Sequence, residues 1–285
     1  MFLIIGYIII LGASVGTYAV HGSLAALWMP MEYVAILGLA IGGFVASNGI
    51  KAIKATVGAL PKVFKGTRLN KALYMDLLAM LFEILSKVRK EGLMSIENDI
   101  ENPAESAVFS KYPSIVHDHH AMEFICDYLR MMVGGNLNAF EIENLMDIEI
   151  ETHHQEAHVP AHTVSKIADA TPAFGIVVAV MGVVNVMGSV GAPPAVLGKM
   201  IGGALVGTFL GILLAYGFVA PIAGQLEQKV EEEAKIFQVI KTVLLASMNG
   251  YAPQVAIEFG RKVLFSGDRP GFIELEEDLK ARKNK

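Results

Sequence analysis

The histidines of this chain are the residues whose type and spacing come nearest to a metal-binding pattern. His154, His158 and His162 recur every four residues, the spacing that places side chains on one face of a helix. Pro160 interrupts that helical face, and no zinc-ligand spacing is present. We therefore predict no metal site. The histidines are expected to be solvated, including three others at His117, His119 and His120.

Enzymatic chemistry finds no support in the residue pattern. The sequence has no nucleophile–base constellation and no phosphate-binding loop, so we predict neither catalytic residues nor a cofactor. The net charge is −5 and no basic stripe suggests nucleic acid. Cys126 is the single cysteine, which excludes a disulfide framework and predicts a small buried apolar residue.

Four long stretches lack Asp, Glu, Lys and Arg: residues 1–31, 33–50, 170–198 and 200–226. A helix needs about 20 apolar residues to cross a bilayer. Only 18% of the residues are charged and the mean hydropathy is +0.49, whereas soluble domains carry about 25% charged residues. The pattern predicts an all-α integral membrane protein with four transmembrane helices.

The charged segments between these stretches set the predicted organisation. Residues 1–50 form a hairpin of helices 1 and 2, residues 51–169 a large helical cytoplasmic insert, residues 170–226 a hairpin of helices 3 and 4, and residues 227–285 a helical cytoplasmic tail. Basic residues crowd after the second span: Lys51, Lys54, Lys62, Lys65, Arg68 and Lys71. The positive-inside rule then places the insert and both termini in the cytoplasm, and the chain in the inner membrane.

The insert and the tail carry helix-boundary signals. Residues 71–92 predict a helix that stops at Gly92, with Glu83 and Lys87 paired four residues apart. Asn138 and Glu141 form a capping-box pattern that opens a helix reaching about His158, before Pro160. A further helix is expected over residues 120–132, and the helix that leaves the fourth span is expected to end at Gly250.

Small residues recur every four positions in two of the predicted spans: Gly38, Gly42 and Ala46, then Gly203, Gly207 and Gly211. Such faces let helix backbones approach closely within a bilayer. They fit either packing within the chain or association with other copies.

Two prolines mark the last two spans. Thr171 and Pro172 have the residue types of a helix start, cap and first turn, so the third span is expected to begin there. Pro221 lies inside a continuous helical pattern, where it removes a backbone bond to Gly217 and predicts a kink.

Ionisable residues inside a membrane usually mark an ion path, but the predicted spans contain none apart from His21 and Glu32 at the periplasmic margin. Polar side chains in the last two spans include Asn185, Ser189, Thr208 and Tyr216. The chain therefore carries no ion through a titrating side chain of its own. Either it moves no ions, or the titrating group belongs to another subunit.

Several blocks of sequence resemble one known family. They are DATPAFGIVVAVMG, GTFLGILLAYGFVAPIA, NGYAPQVAIEFGRK, RPGFIELEE and, in the insert, MSIENDIENPAES. Together they resemble the flagellar motor stator proteins of the MotA/TolQ/ExbB proton channel family, in the long-loop, proton-type branch. The resemblance covers nearly the whole chain.

The resemblance implies a stator subunit that converts ion-motive force into torque. Such subunits form a ring, pentameric in the family, around two MotB-like, peptidoglycan-anchored, single-span partners whose Asp carries the ion. It implies that Pro172 and Pro221 lie near that Asp and that Thr208 faces the ion path. Ala179 stands where sodium-type relatives have Thr, which favours protons as the coupling ion.

The resemblance also implies a rotor-facing surface on the insert. Arg89 and Glu97 match the charged pair that acts on the rotor protein FliG, and Lys90, Glu91 and Asp99 are expected to share that role. Two other functions stay open at this point: a sodium-driven stator, and an energy coupler of the ExbB/TolQ type that serves outer-membrane processes.

Overall fold

The computed structural model describes residues 2–66, 69–135 and 138–283, and it is helical throughout, with no strand in those ranges. Arg68, one of the basic residues that follow the second predicted span, lies outside them. The all-α expectation is confirmed. By packing, the chain divides into two compact units, one made of Met1–Gly66 and Ala157–Gln228, the other of Thr67–Glu156 and Lys229–Lys285.

The helices, in chain order, are α1 Phe2–Leu11, a π-helix Gly12–Gly16, α2 Thr17–His21, α3 Leu24–Leu27, α4 Pro30–Ser47, α5 Ile50–Phe64, α6 Lys71–Glu91, a 3₁₀ turn Leu93–Ile96, α7 Glu97–Glu101, a 3₁₀ turn Phe109–Lys111, α8 Pro113–Val116, α9 His119–Gly134, α10 Ala139–Met187, α11 Pro194–Ile212, a π-helix Leu213–Val219, α12 Ala220–Met248, α13 Pro253–Val263 and α14 Phe272–Lys283.

Four segments in the described part of the chain are long and apolar enough to cross a membrane: Phe2–Val20, Leu24–Ser47, and windows within Ala139–Met187 and Pro194–Met248. The second begins at Leu24, nine residues before the predicted start at Tyr33, because α3 and α4 together form the apolar run. The predicted domain boundaries after residues 50, 169 and 226 mark where the chain enters or leaves a membrane. The two compact units are defined by packing, so they do not test these boundaries, which stay a prediction.

The unit of residues 1–66 and 157–228 exposes large apolar side chains. Ile8, Val184 and Leu205 each expose about two thirds of their surface, which a soluble domain seldom does over so wide an area. Small buried clusters hold the helices together instead: Ile36, Val178, Val206 and Leu210 form one of them. An apolar surface of this kind suits a lipid environment.

Helix α10 corrects two predicted boundaries. The sequence predicted one helix ending near His158 and another starting at Thr171–Pro172, but α10 runs without interruption through Pro160 and Pro172. A proline removes one donor and crowds the carbonyl four residues earlier, and intact bonds on either side of it keep the helix continuous. Thr171 caps nothing: its hydroxyl donates to the Ile167 carbonyl oxygen at 2.6 Å.

The helix around Pro221 contains a π-helical segment, while the predicted kink stays a prediction. Leu213–Val219 are π-helical, and α-helix resumes at Ala220, the residue before Pro221. Backbone bonds in this segment reach five residues back, as from the Ala220 N–H to the Ala215 carbonyl. Single π-helical segments inside α-helices are frequent at functional sites.

The unit of residues 67–156 and 229–285 has one apolar core. Side chains of α6, α9, α12 and α13 meet there, among them Leu77, Leu78, Ile125, Val239 and Ile257. Insert and tail residues therefore share a single core. Cys126 is buried in it, as predicted, and burial raises the pKa of its thiol to about 11.

The predicted helix ends in this unit are confirmed. Gly92 follows α6 directly and Gly250 lies two residues after the end of α12, and they adopt positive φ angles of 87° and 85°, a conformation that favours glycine. Asn138 and Glu141 form the reciprocal capping box: the Asn138 N–H donates to the Glu141 carboxylate at 2.8 Å, and the Glu141 N–H to the Asn138 side chain at 3.0 Å.

Candidate functional site

The closest backbone approach that involves the predicted packing glycines joins α10 to α11. A Cβ atom built on Gly211 would lie 2.7 Å from the Gly175 Cα, and one built on Gly175 would lie 2.8 Å from the Gly207 carbonyl oxygen. Real Cβ contacts are essentially never this short, so only glycine fits at these positions. The two helices touch backbone to backbone.

This contact continues along the helix pair. Gly182 faces Ala204, whose Cβ would be 2.8 Å from an added Cβ, and the Ala179 N–H nitrogen lies 3.3 Å from the Cβ position of Gly207. Because Thr208 follows Gly207, Thr208 and Ala179 lie at the same level of the pair. Both are partly exposed.

Sequence reasoning found Gly207 and Gly211 but missed their partners on α10. Gly175 and Ala179 stand four residues apart, with Gly182 three positions further on. That small-residue spacing is the same signal that marked the other spans, and it was available in the sequence.

The remaining predicted packing glycines differ in their surroundings. A Cβ on Gly203 would lie 3.5 Å from the Met29 methyl carbon and 3.9 Å from a Glu32 carboxylate oxygen, whereas Gly38 and Gly42 have no atom within 4 Å of that position. Gly38 and Gly42 are exposed on α4. The structure thus brings Gly203, Gly207 and Gly211 into contacts within the chain and leaves the α4 face open.

The α10–α11 contact contains no charged side chain. Residues 170–198 and 200–226 hold no Asp, Glu, Lys, Arg or His, and Lys199 between them is exposed. Pro172, partly exposed, follows the buried Thr171 on the same helix. Residues 170–198 and 200–226 therefore form a close-packed surface with a few polar atoms and no group that titrates near neutral pH.

A charged tip joins α6 to α7 in the other unit. Arg89 and Lys90 form the last turn of α6, and Glu97 opens α7 after the turn at Gly92. All three charged side chains are exposed. Within the described ranges, none of them makes a hydrogen bond or an ion pair, so their charges are available to another surface.

Asp99 does not belong to this exposed set, contrary to the sequence prediction. It is 5% exposed, and its carboxylate oxygens accept from Lys87 at 2.7 Å and from the Ser106 hydroxyl at 2.6 Å. The predicted Glu83–Lys87 pair is absent as well, since Glu83 accepts instead from Lys111 at 2.7 Å. Both corrections have the same cause. Lys87 and Glu83 form ion pairs with residues outside α6, Asp99 of α7 and Lys111, instead of with each other.

A groove of about 460 Å³ lies beside this tip. Its lining includes more cations than carboxylates, the carboxylates being Glu83 and Glu91. The cations are Lys87, Arg89, Lys90, Lys111 and Arg282. Arg282 is held by Asp76 and Asp278, which leaves Arg89 and Lys90 as the groove's unpaired cations in the described chain.

The histidines are not simply solvated. The His153 ring packs 4.7 Å from the Phe237 ring and 5.6 Å from the His120 ring, centroid to centroid. Burial lowers the pKa of His153, and the neighbouring His120 lowers it further. On the same helix, the His154 Nε2 lies 3.7 Å from a Glu231 carboxylate oxygen. Pro160 does not interrupt the row of His154, His158 and His162, because α10 continues through it.

These features define a class: an all-helical protein with helices that could span a membrane, a close-packed contact between two of them that contains no carboxylate, and a charged tip on a helical unit. Two family models match the chain. "Motility protein A N-terminal" covers residues 4–92, and "MotA/TolQ/ExbB proton channel family" covers residues 117–239.

Individual proteins agree with these matches. Motility protein A of Escherichia coli strain K12 is 53% identical over the whole chain and 97% of its own length. The structure of C. jejuni MotAB superimposes with a TM-score of 0.76 at 22% identity, over 94% of this chain and 98% of that one. The flagellar MotAB stator complex of Bacillus subtilis gives 0.73 at 26% identity, over 98% of each. The chain belongs to the Motility protein A branch of the MotA/TolQ/ExbB proton channel family, whose members are not enzymes.

Proposed function

We propose that this chain is a stator subunit that converts a transmembrane ion gradient into torque on a flagellar rotor, together with a MotB-like single-span partner. The observation that carries the proposal is the contact between residues 170–187 of α10 and helix α11, which is packed backbone to backbone and free of carboxylates. A path through it requires a titrating group from elsewhere. The partner's Asp supplies that group, and the chain itself needs no cofactor beyond the coupling ion.

The surface of α4 supports assembly into a ring. Gly38 and Gly42 leave a face with no side chain and no neighbour within 4 Å, and lipid-exposed faces of this kind favour close contact with another helix. A pentameric ring around two partner helices would use that face between adjacent copies. Both termini lie in the cytoplasm, and the protein resides in the inner membrane.

Protons are the proposed coupling ion. Ala179 lies level with Thr208 on the helix pair, and an alanine has no oxygen in its side chain with which to ligate a sodium ion. At about 150 mV a proton delivers about 3.5 kcal/mol. That is enough to bias a step of the ring and too little to disrupt a packed core.

Pro172 and Pro221 shape the ion path in this proposal. Each proline removes a backbone hydrogen-bond donor inside a helix, and the segment before Pro221 is π-helical. The backbone at these points is therefore easier to deform when the charge on the partner's Asp changes. Pro172→Ala and Pro221→Leu are expected to abolish swimming while the protein still accumulates in the membrane. Normal swimming with both variants would remove the prolines from the mechanism.

Arg89, Lys90 and Glu97 contact the rotor protein FliG in this proposal. Their side chains are exposed and unpaired within the described chain, and exposed ion pairs contribute only about 0–1 kcal/mol each. Contacts of this strength form and break rapidly, as successive rotor steps require.

A complementation experiment tests the proposal. The chain is expressed with its cognate MotB-like partner in a host that lacks its own stator genes, either with the partner's membrane Asp intact or with that Asp changed to Asn. We expect swimming only with the intact Asp, and equal recovery of both complexes on purification. Swimming with the Asn variant, or a failure of the two chains to copurify, would refute it.

A further inference from the structure

Tyr7 of α1 makes a hydrogen bond to the backbone of the π-helix Leu213–Val219. Its hydroxyl donates to the Phe218 carbonyl oxygen at 2.7 Å, across 211 positions of sequence. The Tyr7 and Phe218 rings also pack against each other, with centroids 4.9 Å apart. This contact joins the first apolar segment to the last, three residues before Pro221.

The backbone at this point is short of donors. Pro221 has no N–H, so the carbonyl of Gly217 lacks the partner that an α-helix would give it. The π-helical segment ahead of the proline bonds five residues apart rather than four, a form that is rare and short in proteins. In hydrocarbon no water replaces a missing donor, so a hydroxyl that reaches a carbonyl beside the interruption stabilises the segment.

Packing of α1 reinforces the same place. A Cβ atom on Gly217 would lie 3.2 Å from the Ile10 Cγ2 atom, so Ile10 covers the backbone of the π-helix one turn away from Tyr7. On the other side of Pro221, Leu3 is buried in a cluster with Ala223 and Leu226. Helix α1 therefore contacts the fourth apolar segment both before and after the proline.

We propose that Tyr7 is a positioning residue that holds the π-helical joint at Pro221 in one conformation. Through this bond α1 limits the opening of the backbone hydrogen bonds in Leu213–Val219. No motif in the sequence indicates that role for Tyr7. Its importance for torque rests on the proposed function of Pro221. The contact and its effect on the joint do not depend on that function.

The test is amide hydrogen exchange of the purified stator complex in lipid nanodiscs, comparing Tyr7→Phe with the unaltered protein. Phenylalanine keeps the ring contact and removes only the hydroxyl. We expect exchange over residues 213–226 to become about three-fold faster, the factor given by an average side-chain hydrogen bond between membrane helices. Exchange over residues 170–187 is expected to stay unchanged. Tyr18→Phe is the matched control, because Tyr18 lies in α2 and its hydroxyl makes no bond in the described chain.

A second background separates a positioning role from a general loss of stability. Pro221→Ala returns an N–H donor to the Gly217 carbonyl and so removes the interruption that the π-helical joint accommodates. With no joint to hold, adding Tyr7→Phe is expected to change the exchange of residues 213–226 very little. In Gly217→Ala the added Cβ atom would crowd the Ile10 Cγ2 atom at 3.2 Å. This variant is expected to speed the exchange of residues 213–226 as Tyr7→Phe does. Unchanged exchange in Tyr7→Phe, or an increase that spreads over all spans or persists equally in the Pro221→Ala background, would overturn the proposal. Swimming of the Pro221→Leu variant is measured in a separate experiment. Normal swimming there would refute the role of Pro221 in the stator mechanism, while the exchange data would still decide whether Tyr7 holds the joint.

Discussion

The ammonium group of Lys87 lies 2.7 Å from the carboxylate of Asp99, across the turn that carries the exposed charges of the tip. The carboxylate is 7% exposed and the ammonium side chain 31% exposed, and the Ser106 hydroxyl donates to the second carboxylate oxygen. This partly buried contact joins α7 to α6 close in sequence to Arg89 and Glu97. A structural pair thus stands beneath the residues proposed to act on the rotor.

Removal of that carboxylate is expected to destabilise the helical unit. Asp99→Ala leaves Lys87 and Ser106 without their partner and should cost about 1–3 kcal/mol, lowering the melting temperature of the purified protein by about 2–10 °C. Glu101→Ala is the matched control, since Glu101 forms an exposed pair with Arg130; pairs of that kind contribute about 0–1 kcal/mol. Equal losses in the two variants would contradict the assignment.

Gly211→Ala is expected to disrupt the α10–α11 contact. The added Cβ would meet the Gly175 backbone at 2.7 Å, and overpacking of this kind costs about 1–3 kcal/mol. Gly202→Ala, on the same helix with nothing within 4 Å, shares any gain in helix propensity and serves as the control. Thermal unfolding in detergent measures the difference, and a Gly211→Ala protein as stable as the Gly202→Ala protein would show that the helices do not touch there.

Charge reversal at the tip should weaken the drive on the rotor without unfolding the protein. Arg89→Glu and Lys90→Glu together invert the unpaired cations of the groove, and each exposed contact is worth about 0–1 kcal/mol. We expect a loss of swimming in the double variant, a partial loss in each single variant, and a melting temperature within about 2 °C of the parent protein. Lys280→Glu, at a 70% exposed side chain, should swim normally. Full motility of the double variant would exclude this surface from torque generation.

Stability should depend on pH through His153. Because burial and His120 lower the pKa of His153 in the folded state, while Glu233, Glu156 and Asp118 oppose that shift, the unfolded chain binds a proton more readily. The folded state therefore loses stability as the pH falls below about 6.5. His153→Phe should remove that part of the pH dependence, and His117→Gln, at an exposed histidine, should leave it intact. Melting curves from pH 7.5 to 5.5 measure it; identical pH profiles for the parent and His153→Phe would contradict the prediction.

The features that could be predicted from the sequence are those fixed by residues close together in the chain. Helix ends at Gly92 and Gly250 and the Asn138–Glu141 box depend on residues a few positions apart, and charge-free stretches are readable by length alone. Those features came out as expected. The glycines of α11 were found for the same reason, from a spacing within one helix.

Features fixed by distant residues could not be predicted in this way. Whether Pro160 and Pro172 end a helix or sit inside one depends on the structure that holds both flanks, and here α10 continues. The partner of Lys87 is Asp99 rather than Glu83 because α7 folds back onto α6. The bond from Tyr7 to Phe218 joins residues 211 positions apart in the sequence, and no local pattern marks it.

The most direct test of the central claim is swimming speed in the stator-deleted host, with the chain and its MotB-like partner, at fixed membrane potential. The pH gradient is varied, a protonophore is added, and sodium is either present or replaced by potassium. A proton-driven stator with Ala179 on its path predicts that the protonophore stops swimming and that sodium has no effect. Speed that follows the sodium gradient and survives the protonophore would contradict it.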